Sequence, residues 1–346
     1  MNRKAMEDAK KRLDSLAKPM GSLGELEAMA IKFAGITGKV ENHINKKAVV
    51  ILSSDNGVCE EGIASAPQRV TAVQTINFLK GVTGTGVLAR ANNCDLKVVD
   101  IGIMTDLNYP GLIMRKIRKG TSNMAKGHAM TREEAEKAIN IGMELMYDFK
   151  EEGYDIIGTG EMGIGNTTTS SAVLISLTGC SVEEAVGRGA GLKDEQFALK
   201  KEVIKRVLEV NSPVKEDPID VLHKVGGFDI AGMVGMYLGA RKYNMPIVID
   251  GYISAVAALL AYRIDEETKH YMFPSHISME KGYKIAMKEL DLRPILNLSM
   301  RLGEGSGCPL AINIIENSLS VINEMATFEE AAIDMNDYVD LWEDQQ

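Results

Sequence analysis

The sequence predicts an α/β fold with a mostly parallel sheet, and two observations lead to this prediction. Apolar runs of strand length alternate with helical segments along most of the chain, and several of these runs end in acidic residues. Continuous apolar runs are typical of strands whose two faces are both covered by helices, as they are in parallel sheets. The predicted strands span residues 48–53, 96–103, 154–158, 246–250 and 271–275.

Helices are predicted between the strands and at both ends of the chain. The first, over residues 2–16, and the second, over 25–33, precede every strand and therefore predict a small helical unit. A long apolar helix ending near Met325 and an acidic C-terminal helix are expected to join it. Thr131 and Glu134 form a capping-box pattern that predicts a helix extending to about residue 150. Residues 105–130 are expected to be irregular.

Composition narrows the class of protein. The 346 residues are 45% hydrophobic and 25% charged, which is typical of a soluble globular chain. The net charge of -9 argues against a general nucleic-acid-binding protein, and no apolar run reaches membrane-spanning length. The four cysteines are widely spaced, without a CxxC motif or a histidine cluster, so no disulfide framework, metal site or cofactor is predicted. We expect a cytoplasmic protein.

The most informative stretch is residues 154–171, which predicts a buried strand, a glycine-rich turn and a helix start in succession. Glycines 158, 160, 163 and 165 are expected to let the backbone turn tightly, and residues 166–168 are expected to cap the helix. Such a helix start binds anions, most often phosphate. The alternative is that the glycines only shape the turn. The match to the dinucleotide fingerprint lacks the second strand ending in an acid that the fingerprint requires.

Acidic residues supply the candidate chemistry. Asp55, Glu161 and Asp250 follow or end predicted strands, and Glu304 lies in a second glycine-rich loop. No serine elbow, Cys/His pair or metal triad accompanies them, which indicates carboxylate chemistry on a phosphorylated, sugar-bearing ligand. Glycosyl transfer from a nucleotide with a cationic leaving group fits, because that group departs as a neutral base and needs no acid. Glu304 would then deprotonate the incoming nucleophile; the alternative is that it only binds backbone N–H groups.

Several motifs resemble one enzyme family, nicotinate-nucleotide-dimethylbenzimidazole phosphoribosyltransferase, from about residue 15 to 330. The clearest are Gly160-Glu-Met-Gly-Ile-Gly-Asn-Thr-Thr-Thr-Ser-Ser-Ala172, Arg301-Leu-Gly-Glu-Gly-Ser-Gly307 and Met325-Ala-Thr-Phe328. Further stretches occur in the same order: Lys18-Pro-Met-Gly-Ser-Leu-Gly24, Gly226-Gly-Phe-Asp-Ile230, Asp250-Gly and Ser275-His276.

The resemblance implies transfer of phosphoribose from nicotinate mononucleotide to an aromatic base of the benzimidazole class. The products are α-ribazole 5'-phosphate and nicotinate, formed with inversion at the anomeric carbon during assembly of the cobalamin (cobamide) nucleotide loop. The resemblance also implies a homodimer and a Rossmann-like large domain, residues 36–308. A small helical domain would be built from residues 1–35 with 309–346.

Site roles follow from the matched motifs. Glu304 corresponds to the general base and Glu161 to its partner near the ribose. The phosphate and ribose contacts are expected at Gly163, Ile164, Gly165, Asn166, Thr167, Gly189, Lys200 and Asp250. The acceptor-base pocket is expected at Ala64, Ala66, Gln74, Met162 and Leu302.

The departures from the family pattern lie near the expected base pocket. Family members commonly carry a histidine in place of Asn56, a Ser-Ala-Tyr-Pro-like run in place of residues 64–67, and Gln-Met in place of Val73-Gln74. The preferred acceptor therefore stays open among a methylated or unsubstituted benzimidazole, a purine and a phenol. Two other functions also stay open: a nucleotide-dependent oxidoreductase, and a nucleotide-binding regulator or inactive paralogue.

Overall fold

A computed structural model describes residues 1–189 and 191–334. The described residues contain one sheet of six strands, all paired in parallel. The strands are β1 (Lys47–Ser54), β2 (Asp95–Gly102), β3 (Leu112–Met114), β4 (Ile156–Met162), β5 (Ile247–Ile249) and β6 (Met272–Pro274).

The order of strands across the sheet is β3-β2-β1-β4-β5-β6. This is the doubly wound order of the Rossmann fold, in which the winding reverses between the two central strands. The predicted fold class is therefore confirmed. Ligands bind such sheets beyond the carboxyl ends of the strands at the reversal point, which here lies between β1 and β4.

Thirteen α-helices surround the sheet in the described part of the chain. They are α1 (Arg3–Asp14), α2 (Glu25–Thr37), α3 (Val70–Leu79), α4 (Gly84–Ala91), α5 (Arg132–Glu151), α6 (Asn166–Thr178), α7 (Val182–Ala185), α8 (Asp194–Asn211), α9 (Pro218–Val225), α10 (Phe228–Lys242), α11 (Tyr252–Ile264), α12 (Tyr283–Leu290) and α13 (Cys308–Glu324). The capping box predicted at Thr131 and Glu134 is present at the start of α5. Among residues 1–189 and 191–334, no helix is both long enough and apolar enough to span a membrane.

The structure corrects two predictions about the strands. Residues 105–130 are not wholly irregular, because β3 lies within them and pairs with β2. The third predicted strand begins later and extends further than expected, so Gly158 and Gly160 lie inside β4 rather than in a turn. They are needed for close packing, since a Cβ atom on Gly158 would lie 2.5 Å from the Cβ of Cys308.

The helices at the two ends of the chain pack together. α1 and α2 contact each other and α13, and an antiparallel bridge joins Leu16 to Thr327. The division into a small helical domain and a large domain stays a prediction. The acidic C-terminal helix predicted after α13 falls on residues 335–346, which lie outside the described residues.

Candidate active site

One cleft lies beyond the carboxyl ends of β4 and β5 and is closed on one side by the loop before α13. Its volume is about 160 Å³, roughly ten times the space that one water molecule requires. It is lined by Glu161, Met162, Gly163, Ile164, Asn166, Thr167, Gly189, Asp250, Gly251, Tyr252, Ile253, Ser278, Glu280, Arg301, Leu302, Gly303 and Glu304. The two glycine-rich loops singled out in the sequence therefore face the same space.

Glu161 is the last but one residue of β4, and its carboxylate points to the second glycine-rich loop. Its Oε1 accepts a hydrogen bond of 3.1 Å from the backbone N–H of Glu304, and its Oε2 accepts one from the Asn166 amide. Burial raises the pKa of Glu161 well above its usual value. The two hydrogen bonds act to lower this pKa, and the negative charges of Asp229 and Asp250 raise it further.

The backbone of residues 303–305 is left-handed throughout, with φ of 75° at Gly303, 62° at Glu304 and 77° at Gly305. For a glutamate this conformation costs roughly 1–2 kcal/mol, so surrounding contacts must hold it. A Cβ atom on Gly303 would lie 2.8 Å from Oε1 of Glu161. Glycine is thus required at 303 both for its φ angle and for the approach of the Glu161 carboxylate.

Asp250, directly after β5, binds the backbone of the same loop. Its Oδ2 accepts the N–H of Gly305 at 2.9 Å, and its Oδ1 accepts the N–H of Gly307 at 2.7 Å. Burial raises the pKa of Asp250, while the neighbouring His276, whose Nδ1 lies 3.9 Å from Oδ1, acts in the opposite direction. Both carboxylate oxygens are thus engaged in shaping the loop that carries Glu304.

The Glu304 side chain has one oxygen engaged and one unengaged. Oε1 accepts a hydrogen bond of 3.0 Å from the Gln74 amide of α3, whereas the buried Oε2 accepts none from any residue that the structure describes. The hydroxyl of Thr85, on α4, donates to the Glu304 carbonyl at 2.9 Å. Burial raises the pKa of this carboxyl group, the Gln74 hydrogen bond opposing it. A carboxylate with an unengaged oxygen and a raised pKa is suited to accept a proton.

The first glycine-rich loop ends at the start of α6. The structure corrects the prediction that residues 166–168 cap this helix. The N-cap position belongs to Gly165, with φ of 90° and no side-chain cap, whereas residues 166–168 are already helical. The Asn166 side chain instead bonds to Glu161 and Asp229. The helix start nevertheless lines the cleft, as expected for an anion site.

Lys200, on α8, brings a buried positive charge to this helix start. Its side chain is only 1% exposed, and its Nζ donates to the Thr167 hydroxyl at 2.8 Å and to the Gly187 carbonyl at 3.4 Å. Gly189, with φ of 56°, lies beside it. Burial lowers the pKa of Lys200 to about 8, with the charge of Glu280 opposing the shift.

Most of the residues predicted to form the acceptor pocket lie in or next to the cleft, but two do not. Met162 and Leu302 line the cleft, and Gln74 reaches it through Glu304. Ala64 and Ala66 line a separate cavity that also contains Cys59 and Gln196. Their predicted role in the acceptor pocket has no support from this arrangement and stays a prediction.

Asp55, the acid that follows β1, turns away from the cleft. Its Oδ2 accepts the N–H of Met104 at 2.8 Å, and Asp55 is not among the residues that line the cleft. Of the three acids predicted at strand ends, two therefore reach the site.

Sequence reasoning missed four polar side chains of the cleft: Tyr252, Ser278, Glu280 and Arg301. Tyr252 and Ser278 follow predicted strands, so position beyond the carboxyl ends of the sheet was an available signal. Glu280 has no local signal, because single charged residues in loops are usually solvated, whereas Arg301 begins the motif of residues 301–307 but was given no role there. Burial raises the pKa of Glu280, and the charges of Lys200 and Arg301 act against that shift.

Three carboxylates lie together at one part of the cleft, and a fourth, Glu280, lies near Lys200 and Arg301. Glu161, Asp250 and Glu304 belong to β4, to the residue after β5 and to the second loop, while Lys200 donates to Thr167 at the start of α6. Among the described residues, no group of three or more His, Cys, Asp and Glu side chains is arranged to hold a metal ion. The arrangement suits a ligand that carries a phosphate at one end and a sugar or positive charge near the acids.

Comparison with known proteins identifies the family of the chain. The sequence profile of a family described as phosphoribosyltransferase matches residues 1–333. The chain belongs to this phosphoribosyltransferase family. Two relatives named nicotinate-nucleotide--dimethylbenzimidazole phosphoribosyltransferase share the family. The one from Clostridium perfringens is 54% identical over 98% of this chain and 93% of its own. The one from Clostridium acetobutylicum is 53% identical over 96% of this chain and 95% of its own.

A solved member of the phosphoribosyltransferase family shares the whole architecture. The crystal structure of CobT from Thermus thermophilus matches with a TM-score of 0.91 and 36% sequence identity, covering 96% of this chain and 99% of that one. The family resemblance expected from the two glycine-rich loops is therefore confirmed.

Proposed function

We propose that the chain transfers the 5-phosphoribosyl group of nicotinate mononucleotide to a benzimidazole-type base, giving an α-ribazole 5'-phosphate and nicotinate. The relatives' names supply the nucleotide and the base class. The observation that carries the proposal is that Glu161 and Glu304 share one cleft with a glycine-rich helix start and a buried lysine. The product would enter the nucleotide loop of cobalamin or a related cobamide.

In the proposed reaction, the bond between the ribose C1' and the nicotinate nitrogen breaks, and its electron pair stays on nicotinate. A ring nitrogen of the acceptor attacks C1' from the opposite face, and the N–H proton of the acceptor passes to Glu304. The leaving base is neutral after departure, so no general acid is needed. Glu304 fits the role of base because Oε2 is unengaged and Gln74 fixes the other oxygen.

Glu161 would stabilise the positive charge that develops on the ribose as the bond to nicotinate breaks. Its carboxylate is fixed by two hydrogen bonds, so it needs no reorganisation during the reaction. Residues 163–167, Gly189 and Lys200 would hold the phosphate, with Asp250 keeping the catalytic loop in place next to the ribose.

The acceptor would bind between Met162 and Leu302, next to Glu304 and Gln74. Leu302 is 55% exposed, so an aromatic ring in this place would cover apolar surface. Ala64 and Ala66 belong to this pocket only if their loop moves toward the cleft.

We also propose that two copies of the chain form a homodimer. Leu302 packs against Gly84 at the start of α4, and the adjacent Val82 and Val87 are exposed. This apolar surface beside the cleft is of the kind that subunit interfaces cover. Residues 1–35 with 309–346 would act as a small domain beside the large one, 36–308. The four free cysteines fit a reducing compartment, and we place the enzyme in the cytoplasm.

The test is incubation of the purified enzyme with nicotinate mononucleotide and a panel of acceptors, read by nicotinate release and product mass. The panel contains dimethylbenzimidazole, benzimidazole, adenine and a phenol. We expect nicotinate release and a ribosylated product with at least one benzimidazole. Absence of release with every acceptor would refute the proposal, and reduction or oxidation of added NAD would favour the oxidoreductase instead.

A further inference from the structure

Asp229 is a buried acid that lies outside the cleft yet is connected to it. It is the second residue of α10, and its side chain is completely buried. Its Oδ1 accepts the backbone N–H of Ile230 at 3.0 Å, and its Oδ2 accepts the Asn166 amide at 3.1 Å. Burial of a charged group is costly, so an acid kept at such a position requires an explanation.

The Asn166 amide joins Asp229 to Glu161. Its Nδ2 donates one hydrogen bond to Oδ2 of Asp229 and another to Oε2 of Glu161. An amide nitrogen carries two N–H groups and its oxygen only accepts. Two carboxylates on the nitrogen side therefore fix the direction of the amide, because the reversed amide would place its oxygen against two other acceptors.

The surroundings leave Asp229 little freedom to move. A Cβ atom on Gly163 would lie 3.2 Å from Oδ2, and one on Gly227 would lie 2.4 Å from Oδ1. Both glycines thus allow the carboxylate to pack directly on the backbone. The amide of Asn166 is held by a rigid partner rather than by a mobile surface group.

We propose that Asp229 is a positioning residue, which acts through Asn166 to hold the Glu161 carboxylate against the loop that carries Glu304. A continuous chain of hydrogen bonds runs from Asp229 through Asn166 and Glu161 to the N–H of Glu304. Without Asp229 the Asn166 amide is free to turn, and Glu161 loses one of its two fixed contacts. The inference rests on the proposed function, since it assigns Glu161 a charge-stabilising role in that reaction.

The primary variant is Asp229→Asn. The N–H of Ile230 and the Asn166 amide donate to different oxygens of Asp229, and asparagine has an NH2 group in place of one of them, so in the same geometry one contact must be lost. We expect kcat to fall roughly 10- to 100-fold, the effect of losing one hydrogen bond to a charged group. KM for nicotinate mononucleotide should stay within about twofold, because the phosphate is held by backbone groups and Lys200.

A double-mutant cycle separates positioning from a general structural role. Asn166→Ala should lower kcat to a similar degree, and adding Asp229→Asn to it should lower kcat no further, since both act through one contact. Asp217→Asn is the control, because Asp217 also begins a helix but its hydrogen bonds join it to Arg132, Ile219 and Asp220, none of which lines the cleft; it should leave kcat unchanged. Circular dichroism and thermal melting check that each variant is folded.

Three results would overturn the inference: unchanged kcat in folded Asp229→Asn, losses that multiply in the double variant, or an effect on KM alone. If Asp229→Asn does not fold, unchanged kcat in Asn166→Ala overturns it equally well. A wild-type enzyme that releases no nicotinate refutes the proposed function itself. Active wild type with fully active variants refutes only the role of Asp229.

Discussion

The proposed phosphate contact of the buried Lys200 predicts a specific dependence of kcat/KM on pH. Burial lowers the pKa of Lys200 from 10.5 to about 8, so the free enzyme loses this positive charge as pH rises through about 8. A phosphate group is fully ionised above its second pKa of about 6. Loss of the ammonium therefore weakens nucleotide capture without any change in the nucleotide.

The magnitude follows from the fraction of enzyme that still carries the charge. At pH 8 about half of the lysines are protonated and at pH 9 about one tenth, so kcat/KM for nicotinate mononucleotide should fall about fivefold between pH 8 and pH 9. In the bound state the phosphate stabilises the ammonium and raises its pKa. The decrease in kcat should consequently occur at higher pH than the decrease in kcat/KM, because the two parameters report the free and the bound enzyme.

The assay is initial-rate nicotinate release from pH 6 to pH 10 at saturating acceptor. Lys200→Arg keeps a charge that does not titrate in this range, so its kcat/KM should stay level above pH 8 even if its absolute value is lower. Lys201→Arg, at the more exposed neighbouring position, is the control and should retain the decrease. A level wild-type profile, or the same decrease in Lys200→Arg, would refute the reasoning.

Three further predictions concern the loop before α13. Glu304→Gln should lower turnover roughly 10²- to 10⁴-fold with little change in nucleotide binding measured by calorimetry, as for a lost general base; equal turnover would remove Glu304 from that role. Asp250→Asn leaves one of two loop N–H groups without an acceptor, at about 1–3 kcal/mol, and both melting temperature and kcat should fall. Gly303→Ala should reduce kcat more than Gly179→Ala does, although both have φ of 75°, because only the Cβ at 303 would meet Glu161. Equal kcat in the two alanine variants would argue against that contact.

The sequence predicts the parallel sheet well because its strands are continuous apolar runs, which periodicity detects. It does not predict β3, because Leu112–Met114 is three residues long and only partly buried, so its pairing with β2 decides its structure. The prediction for Gly158 and Gly160 fails for a similar reason. Glycine permits both a turn and close packing, and only the tertiary contact with the segment after Gly303 distinguishes them.

Some residues of the candidate site could likewise be predicted from the sequence, and others could not. Glu161 and Glu304 could be found because each stands in a glycine-rich motif, whereas the bridge from Asp229 through Asn166 joins residues 63 positions apart and has no local signal. Asn166 looks like a helix cap in sequence, since asparagine is favoured there. Its side chain bonds to two carboxylates instead, because Gly165 supplies the turn into α6 and leaves the amide available.

The buried acids of the site also lower the stability of the folded chain at neutral pH. Burial raises the pKa of Asp229 from 3.8 to about 6, so the folded chain holds this proton more tightly than the unfolded chain does. The proton contributes about 3 kcal/mol to the free energy of unfolding. This contribution is complete below about pH 4 and is lost as pH rises to about 6. Burial raises the pKa of Glu161 as well, and the cost adds in the same direction. Apolar residues of similar size would avoid it, so the destabilising acids at neutral pH are explained by the proposed reaction, in which Glu161 stabilises positive charge and Asp229 holds Glu161 in place through Asn166.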